Sequence, residues 1–382
     1  MPNSKDEPGR QRQPHEAGRS NINQTGRNLA GETATELFKE ETTMNDHALK
    51  RRIIGVGLGA SMLAGGAGLA QAQDFDLSGT SVTIGTAQAQ VLNVGTLRMI
   101  EMLEGWGADV TRVELPSISG LEAIIADQID VAARSSDEIL IGQTRGVDVV
   151  AIGAPISTMH YAVISTPGVN SLADLKGKSI ATSGPGGFNG MLFRYMLKRE
   201  GLEPETDVQI VPVGGSSERA AAVMAGQVQA TVTFIDNWLA MEEQGADVQL
   251  LGYVADLVPG LSSRAIFAER EYLEANEELG TAIACANLEV NQWINSDKDT
   301  FVSYTTENVR GANENAVGAF YDVAMSVNMF PTDPASLLDT DGYQGLADLL
   351  YEGGEIDTQL DVSSFVDRSY LEKAAGMGCG AA

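Results

Sequence analysis

Histidine and cysteine are scarce in this chain of 382 residues, with three of the first and two of the second, and basic side chains are few, 25 Lys and Arg against 52 Asp and Glu. Each shortage excludes something. Two cysteines make neither a disulfide framework nor a CxxC-type zinc site. Three histidines leave little material for metal or His-based catalysis. A formal charge of −27 removes nucleic acid, and disfavours anionic membrane surfaces, because both are bound through basic patches. No uninterrupted long apolar run is present either. Ile53–Leu69 spans 17 residues but carries six glycines, on the short side for a membrane-spanning helix. What is there is a 43% hydrophobic composition, enough for a folded globule. Single cores stop growing near ~250–300 residues, so two lobes are expected.

The first 72 residues read as something other than fold. Residues 1–43 are polar, mixed in charge and aperiodic, an over-extended or disordered leader. From Met44 the text changes to Lys50-Arg51-Arg52, the Gly-rich apolar run, and Ala70-Gln71-Ala72. A basic segment, an apolar segment and a small-x-small site are the parts of a secretory signal peptide, here 44–72 with cleavage near Ala72. Arg51-Arg52 suits twin-arginine export and Lys50 does not, so both that route and the general secretory one stay open. Cleavage removes 9 of the 25 basic and 8 of the 52 acidic residues, leaving 16 against 44, a net charge of −28. His15 and His47 leave with it, so His160 is the sole imidazole of the exported, periplasmic chain.

Strand-like and helix-like segments then alternate. Ser81–Gln88, Asp109–Leu115, Ile129–Ala133 and Val147–Ile152 read as strands, Asn93–Glu104 as a helix. Ser119 and Glu122 form a capping-box pattern before Leu121, Ile124 and Ile125. The alternation restarts with strands Tyr161–Ser165, Ser179–Thr182, Val208–Pro212 and Val228–Phe234, and helices Phe188–Glu200 and Ser217–Ala225. A phrase recurs: Ala126-Asp127-Gln128-Ile129-Asp130-Val131 returns 99 residues later as Ala225-Gly226-Gln227-Val228-Gln229-Ala230, and Asp137 matches Asp236. Such alternation implies βαβ units and a largely parallel α/β architecture. After about residue 265 the text is mostly helical, with Glu271–Glu278, Ala282–Asn295 and Tyr343–Tyr351 as helical parts. Cys285 reads as a small buried hydrophobe, Cys379 as a thiol in a disordered tail at 373–382.

The stretch Leu172-Ala173-Asp174-Leu175-Lys176-Gly177-Lys178-Ser179-Ile180-Ala181, the Gly-rich loop after it, Val211-Pro212-Val213-Gly214 and the Ala225-Gly226-Gln227 turn resemble a family. It is that of the periplasmic substrate-binding proteins of ABC transporters, in the branch for nitrate, sulfonates, taurine and thiamine-pyrimidine precursors (NMT1/THI5-like). Pro259–Phe267, Trp293 and Val366–Leu371 resemble it too. The resemblance implies a two-lobed periplasmic binding fold of type II, each lobe a mostly parallel sheet flanked by helices. It implies lobe 1 at 74–158, lobe 2 at 159–256 and a helical return to lobe 1 at 257–372. It also implies a small-molecule ligand held by lobe closure, delivery to an ABC permease in the inner membrane, a monomer, and no cofactor, metal or catalysis. Two departures from the family pattern are Ile235-Asp236-Asn237-Trp238 after the Asp-Ala type strand and Gly85-Thr86-Ala87-Gln88 without the common Tyr.

Candidate ligand contacts follow from strand ends and loops, because ligands in open α/β sheets sit beyond the carboxyl ends of strands. Gly186, Gly187, Phe188 and Asn189 belong to a strand-to-helix loop that either admits an oxyanion or simply turns. Ser135 and Ser136 end the strand before Asp137, where hydroxyls hold an oxyanion or cap a helix. Asp236, Asn237 and Trp238 occupy the matching strand end, Trp238 as a stacking face or as core. His160 stands where the chain first crosses between lobes, as a ligand donor or a satisfied structural residue. Arg134 and Arg194 are the basic groups near these loops, each an anion partner or a surface ion pair, and Gln88 follows the first strand. Alternatives from other classes are a ligand sensor, a TRAP-type binding subunit, and an enzyme like the thiamine-pyrimidine synthases, whose Cys-rich motif is missing.

Overall fold

The computed structural model describes residues 75–115, 118–184 and 187–381; the leader and the signal peptide expected over 1–72 lie outside the described residues. The first sheet is built from β1 (Ser81–Thr86), α1 (Val94–Gly105), β2 (Asp109–Glu114), α2 (Gly120–Ile125), β3 (Val131–Ser135), α3 (Asp137–Thr144) and β4 (Val149–Gly153). The chain crosses to β5 (Tyr161–Ser165) and builds a second sheet. That sheet uses β6 (Ser179–Thr182), α4 (Phe188–Arg199), β7 (Gln209–Pro212), α5 (Ser216–Met224), β8 (Ala230–Phe234), α6 (Ile235–Glu243) and β9 (Gln249–Tyr253). Then α7 (Val254–Leu257) leads back to β10 (Arg264–Glu269) in the first sheet. The remainder is α8 (Arg270–Ala275), α9 (Glu277–Ser296), α10 (Lys298–Asn308), α11 (Glu314–Ser326), α12 (Pro334–Leu337), α13 (Thr340–Gly353) and α14 (Ser369–Gly376).

The sheets share one topology. Their strand orders are β2-β1-β3-β10-β4 and β7-β6-β8-β5-β9, and in each the fourth strand runs antiparallel to both neighbours. That strand is the one that has just crossed between sheets. The repeated phrase marks the central strands β3 and β8, each followed by a helix with an aspartate in its first turn, Asp137 and Asp236. Local chemistry acts as its residues dictate: Ser119 Oγ accepts a hydrogen bond from Glu122 N at 3.0 Å and so starts α2. β10 departs from the expected helical return. Its middle four residues, Ala265–Ala268, are fully buried, and so short an apolar run does not distinguish strand from buried helix in sequence.

Two crossing segments, residues 154–160 and 258–263, run beside each other, bridged at Thr158 and Ser262. Arg264 N donates to Ile156 O at 3.0 Å. Asn287 on α9 fixes the first of them, accepting from Ala154 N at 2.8 Å and donating to Ala154 O at 3.1 Å. A Cβ at residue 153 would come within 2.7 Å of Asn287 Oδ1, which is why glycine ends β4. Among the described residues no helix is long and apolar enough to cross a membrane.

The tail differs from expectation. Residues 373–382 were expected to be disordered, yet α14 packs along α9, and Cys379 is disulfide-bonded to Cys285. Gly380 N donates to Glu289 Oε1 at 2.8 Å. The two cysteines are thus one buried cross-link rather than a core hydrophobe and a loose thiol, and the bond joins the packing of α14 in holding the Gly-rich end against α9.

Candidate functional site

A cavity of about 240 Å³ opens between the sheets, lined by Ala87, Gln88, Gln90, Leu115, Arg134, Ser135, His160, Tyr161, Phe234 and Arg264. Its walls are made by register. In the first sheet Ser135 on β3 pairs with Arg264 on β10. In the second, Phe234 on β8 pairs with Tyr161 on β5. These are equivalent pairs in the two sheets, each joining the end of the central strand to the start of the crossing strand. The ends of β1 and β2 add Gln88 and Leu115.

Buried nitrogens without a hydrogen bond collect here. Arg134 Nε, Arg264 Nε and His160 Nε2 are buried and make no hydrogen bond among the described residues. Arg134 forms an ion pair with Glu138, Nε to Oε1 at 3.5 Å, beyond hydrogen-bond geometry, and its Nη2 donates to Ile118 O at 3.4 Å. Arg264 makes no ion pair among the described residues. Burial works against its charge, and a guanidinium does not shed its proton. His160 is held by a 2.6 Å bond between Nδ1 and Ser263 Oγ. Burial, helped by Arg264, pushes the imidazole well below its ordinary value, so it is neutral. Burial also raises Tyr161 to about 12, keeping the phenol uncharged.

Carboxylates stand behind this wall. Asp137, bonded to Ser135 Oγ, and Asp236, bonded to Asn237 N at 3.0 Å, are both shifted upward by burial. Glu138 accepts from Leu121 N at 3.1 Å and is raised from 4.5 to about 7, first by burial and then by Asp137. A carboxyl raised in the folded state stabilises the fold fully below its unfolded pKa and loses that contribution as pH rises through the folded one. Between its ordinary 4.5 and about 7 the loss amounts to about 3 kcal/mol at most. Glu138→Gln, which mimics the protonated form, is expected to flatten the fall in urea-unfolding stability between pH 5 and 8 by up to that amount. An unchanged pH profile would show that Glu138 titrates normally.

The structure brings together Gln88, Arg134, Ser135 and His160 around the cavity, and leaves other candidates outside its lining. Ser136 is buried, its Oγ 2.9 Å from Ser262 Oγ and within 3.5 Å of Tyr343 Oη, where it ties β3 to the returning chain. Asn237 donates to Ser216 Oγ at 3.0 Å and Thr233 Oγ1 at 3.3 Å, closing a turn of the second lobe. Trp238 is core, 6% exposed. Arg194 pairs with Glu205 at 2.7 Å and borders a separate groove between α4 and α13. Asn189 latches its own loop, its Oδ1 accepting from Ser183 N and its Nδ2 donating to Ser183 Oγ, both at 2.9 Å. A Cβ at Gly187 would collide with that Ser183 hydroxyl. Phe188 reaches the site indirectly, its ring 6.1 Å from that of Tyr161, and Gly186 lies outside the described residues.

Arg264, Tyr161 and Phe234 were not singled out in the sequence as ligand contacts. Arg264 opens an apolar stretch, Ala265-Ile266-Phe267-Ala268, and an arginine at the edge of a buried strand is the signal that could have found it.

The sequence model described as "NMT1/THI5 like" matches residues 104–299, just over half of the chain. A putative binding protein of Bacillus subtilis, YtlA, is 21% identical over 282 residues, covering 70% of this chain and 78% of that protein. The aliphatic sulphonate binding protein SsuA of Escherichia coli superposes with a TM-score of 0.62 at 20% identity, over 76% of this chain and 92% of its own. The nitrate-binding protein NrtA of Synechocystis superposes with a TM-score of 0.62 at 14% identity, over 78% and 88%. At these identities the structural likeness is one of fold, and both structural neighbours are periplasmic binding proteins. Fold and sequence match agree: the chain belongs to the NMT1/THI5-like family.

Proposed function

We propose that this protein is an exported solute-binding protein that captures a small organic oxyanion between its lobes and hands it to an ABC importer. One observation carries the reading: both charged residues lining the cavity are arginines, and three buried nitrogens there, Arg134 Nε, Arg264 Nε and His160 Nε2, make no hydrogen bond among the described residues. Buried polar groups in native proteins are almost always hydrogen-bonded, and guanidinium forks match carboxylate and sulfonate oxygens. A ligand oxyanion between Arg134 and Arg264, beside Ser135 Oγ, would complete the two guanidinium groups. Lobe closure over two crossing segments is the motion such a site calls for.

The wall chemistry favours binding over turnover. Ser263 and His160 are hydrogen-bonded, but Ser263 is 3% exposed and His160 Nε2 meets no carboxylate to orient it as a base. The buried Cys285–Cys379 disulfide fits an oxidising compartment, in line with the signal-like segment at 44–72. Names of relatives, a sulphonate-binding and a nitrate-binding protein, supply the ligand chemistry to try first.

The test is thermal unfolding of the purified protein, expressed as the full chain, against sulfonates, carboxylates, nitrate, taurine and alkylammonium ions. A ligand at a hundred times its Kd adds about 2.7 kcal/mol, a plain shift of the midpoint. Organic anions are expected to shift it and ammonium ions to leave it unmoved. Stabilisation by the cations alone would overturn the reading.

A further inference from the structure

The cavity has two chemically different ends. Arg134, Arg264 and Ser135 form a polar one on the first sheet. Opposite, His160 at the end of the first crossing segment stacks its ring with those of Tyr161 and Phe234 on the second sheet. Their centroids are 4.5 Å (His160–Tyr161), 5.3 Å (His160–Phe234) and 5.2 Å (Tyr161–Phe234) apart, with planes within 27° of one another. The three planes share an orientation, so a flat guest entering the cavity can extend the stack. Phe188 extends this surface from the start of α4, at 6.1 Å from Tyr161. None of the three rings carries charge at neutral pH, since burial keeps the imidazole neutral and the phenol protonated.

Resting on the oxyanion-binding reading above, we propose that the solute is an aromatic acid: a planar ring laid against Tyr161 and Phe234, bearing a carboxylate or sulfonate directed at Arg134 and Arg264. An alkyl tail of equal size would gain the same removal of apolar area from water. It would lack the directional ring–ring attraction, which adds to area burial at each contact. A small inorganic anion such as nitrate would satisfy the arginines and leave the aromatic wall uncovered. Of the classes that fit the arginines, only a flat acid uses both ends.

Calorimetric titration of the full-chain protein with matched pairs tests this. The pairs are benzenesulfonate with cyclohexanesulfonate, and benzoate with cyclohexanecarboxylate, which share size and charge and differ in planarity and π-electrons. In at least one pair the aromatic member is expected to bind about tenfold tighter, the sum of one or two stacking contacts. Phe234→Leu should reduce that ratio to about threefold, since Tyr161 keeps its own contact, while the cyclohexyl acid still binds. The wild-type ratio is read without any variant, so a Phe234→Leu protein that fails to fold leaves the test standing. Equal affinity within each pair, or tight binding of nitrate or taurine with neither aromatic acid, would overturn the aromatic class and leave the oxyanion reading intact. Failure of every anion would instead remove the oxyanion reading, and the aromatic proposal with it.

Discussion

Arg264→Met is expected to weaken ligand binding by about thirtyfold or more and to leave the ligand-free protein at least as stable as before. The two effects have one cause. Arg264 sits at the start of β10, opposite Ser135, with a buried Nε that no described residue accepts from. Burial already works against its charge. An uncompensated buried charge costs folding free energy, and methionine fills a similar volume without that cost. Single stabilising substitutions commonly add about 0.5–2 kcal/mol. The bound state loses in the other direction. Deleting one partner of a buried hydrogen-bonded charge pair costs about 2–5 kcal/mol, a fall in affinity of about thirtyfold or more. Calorimetry with benzenesulfonate, or with whichever acid moves the midpoint furthest, and urea unfolding of the same preparation read both quantities. Loss of stability together with binding would mark Arg264 as a structural residue. Retained binding would mean that the oxyanion sits elsewhere.

Much of the frame was legible because it is local. The segments at Tyr161–Ser165 and Ser179–Thr182 were readable to the residue, since β-branched and apolar residues there are bounded by turn-forming ones. The repeated phrase located β3 and β8, because one helix–turn–strand unit is used twice to the same end. The site was legible only in part. Gln88, Arg134, Ser135 and His160 stand at strand ends or crossings, where the α/β architecture puts ligands whatever the ligand is. Arg264 and the Phe234–Tyr161 pair depend on antiparallel register between strands far apart in sequence, and nothing local encodes that. The opposite error has a physical reason too. Ser136, Asn237 and Asn189 are polar residues at the right ends of the right elements, but each spends its hydrogen bonds on holding a turn or strand in place. A polar side chain at a strand end is a ligand group only if the fold leaves it unsatisfied, and satisfaction is a tertiary property.

The same distinction bears on the two cysteines, whose joint replacement, Cys285→Ala with Cys379→Ala, is expected to be the most destabilising change away from the cleft. The bond closes a loop between residues 94 positions apart, and closing a loop of about 100 residues removes denatured-state entropy equivalent to about 4–5 kcal/mol. Folded-state contacts survive the replacement to a degree. Lys373 pairs with Glu277 at 2.7 Å, and α14 keeps its packing along α9, so the helix has reasons to stay docked without the bond. The loss therefore falls mainly on the balance with the unfolded chain. Urea unfolding with and without reductant separates the possibilities: wild type in reductant should approach the double variant, and the variant should ignore reductant. Binding supplies the control. Cys285 lies two positions before Asn287, which clamps Ala154 where the chain starts to cross between the sheets. If the bond only restrains the unfolded chain, ligand affinity in the variant stays at the wild-type value. If affinity falls in step with stability, the cross-link also sets the position of α9, and through Asn287 the hinge on which lobe closure turns.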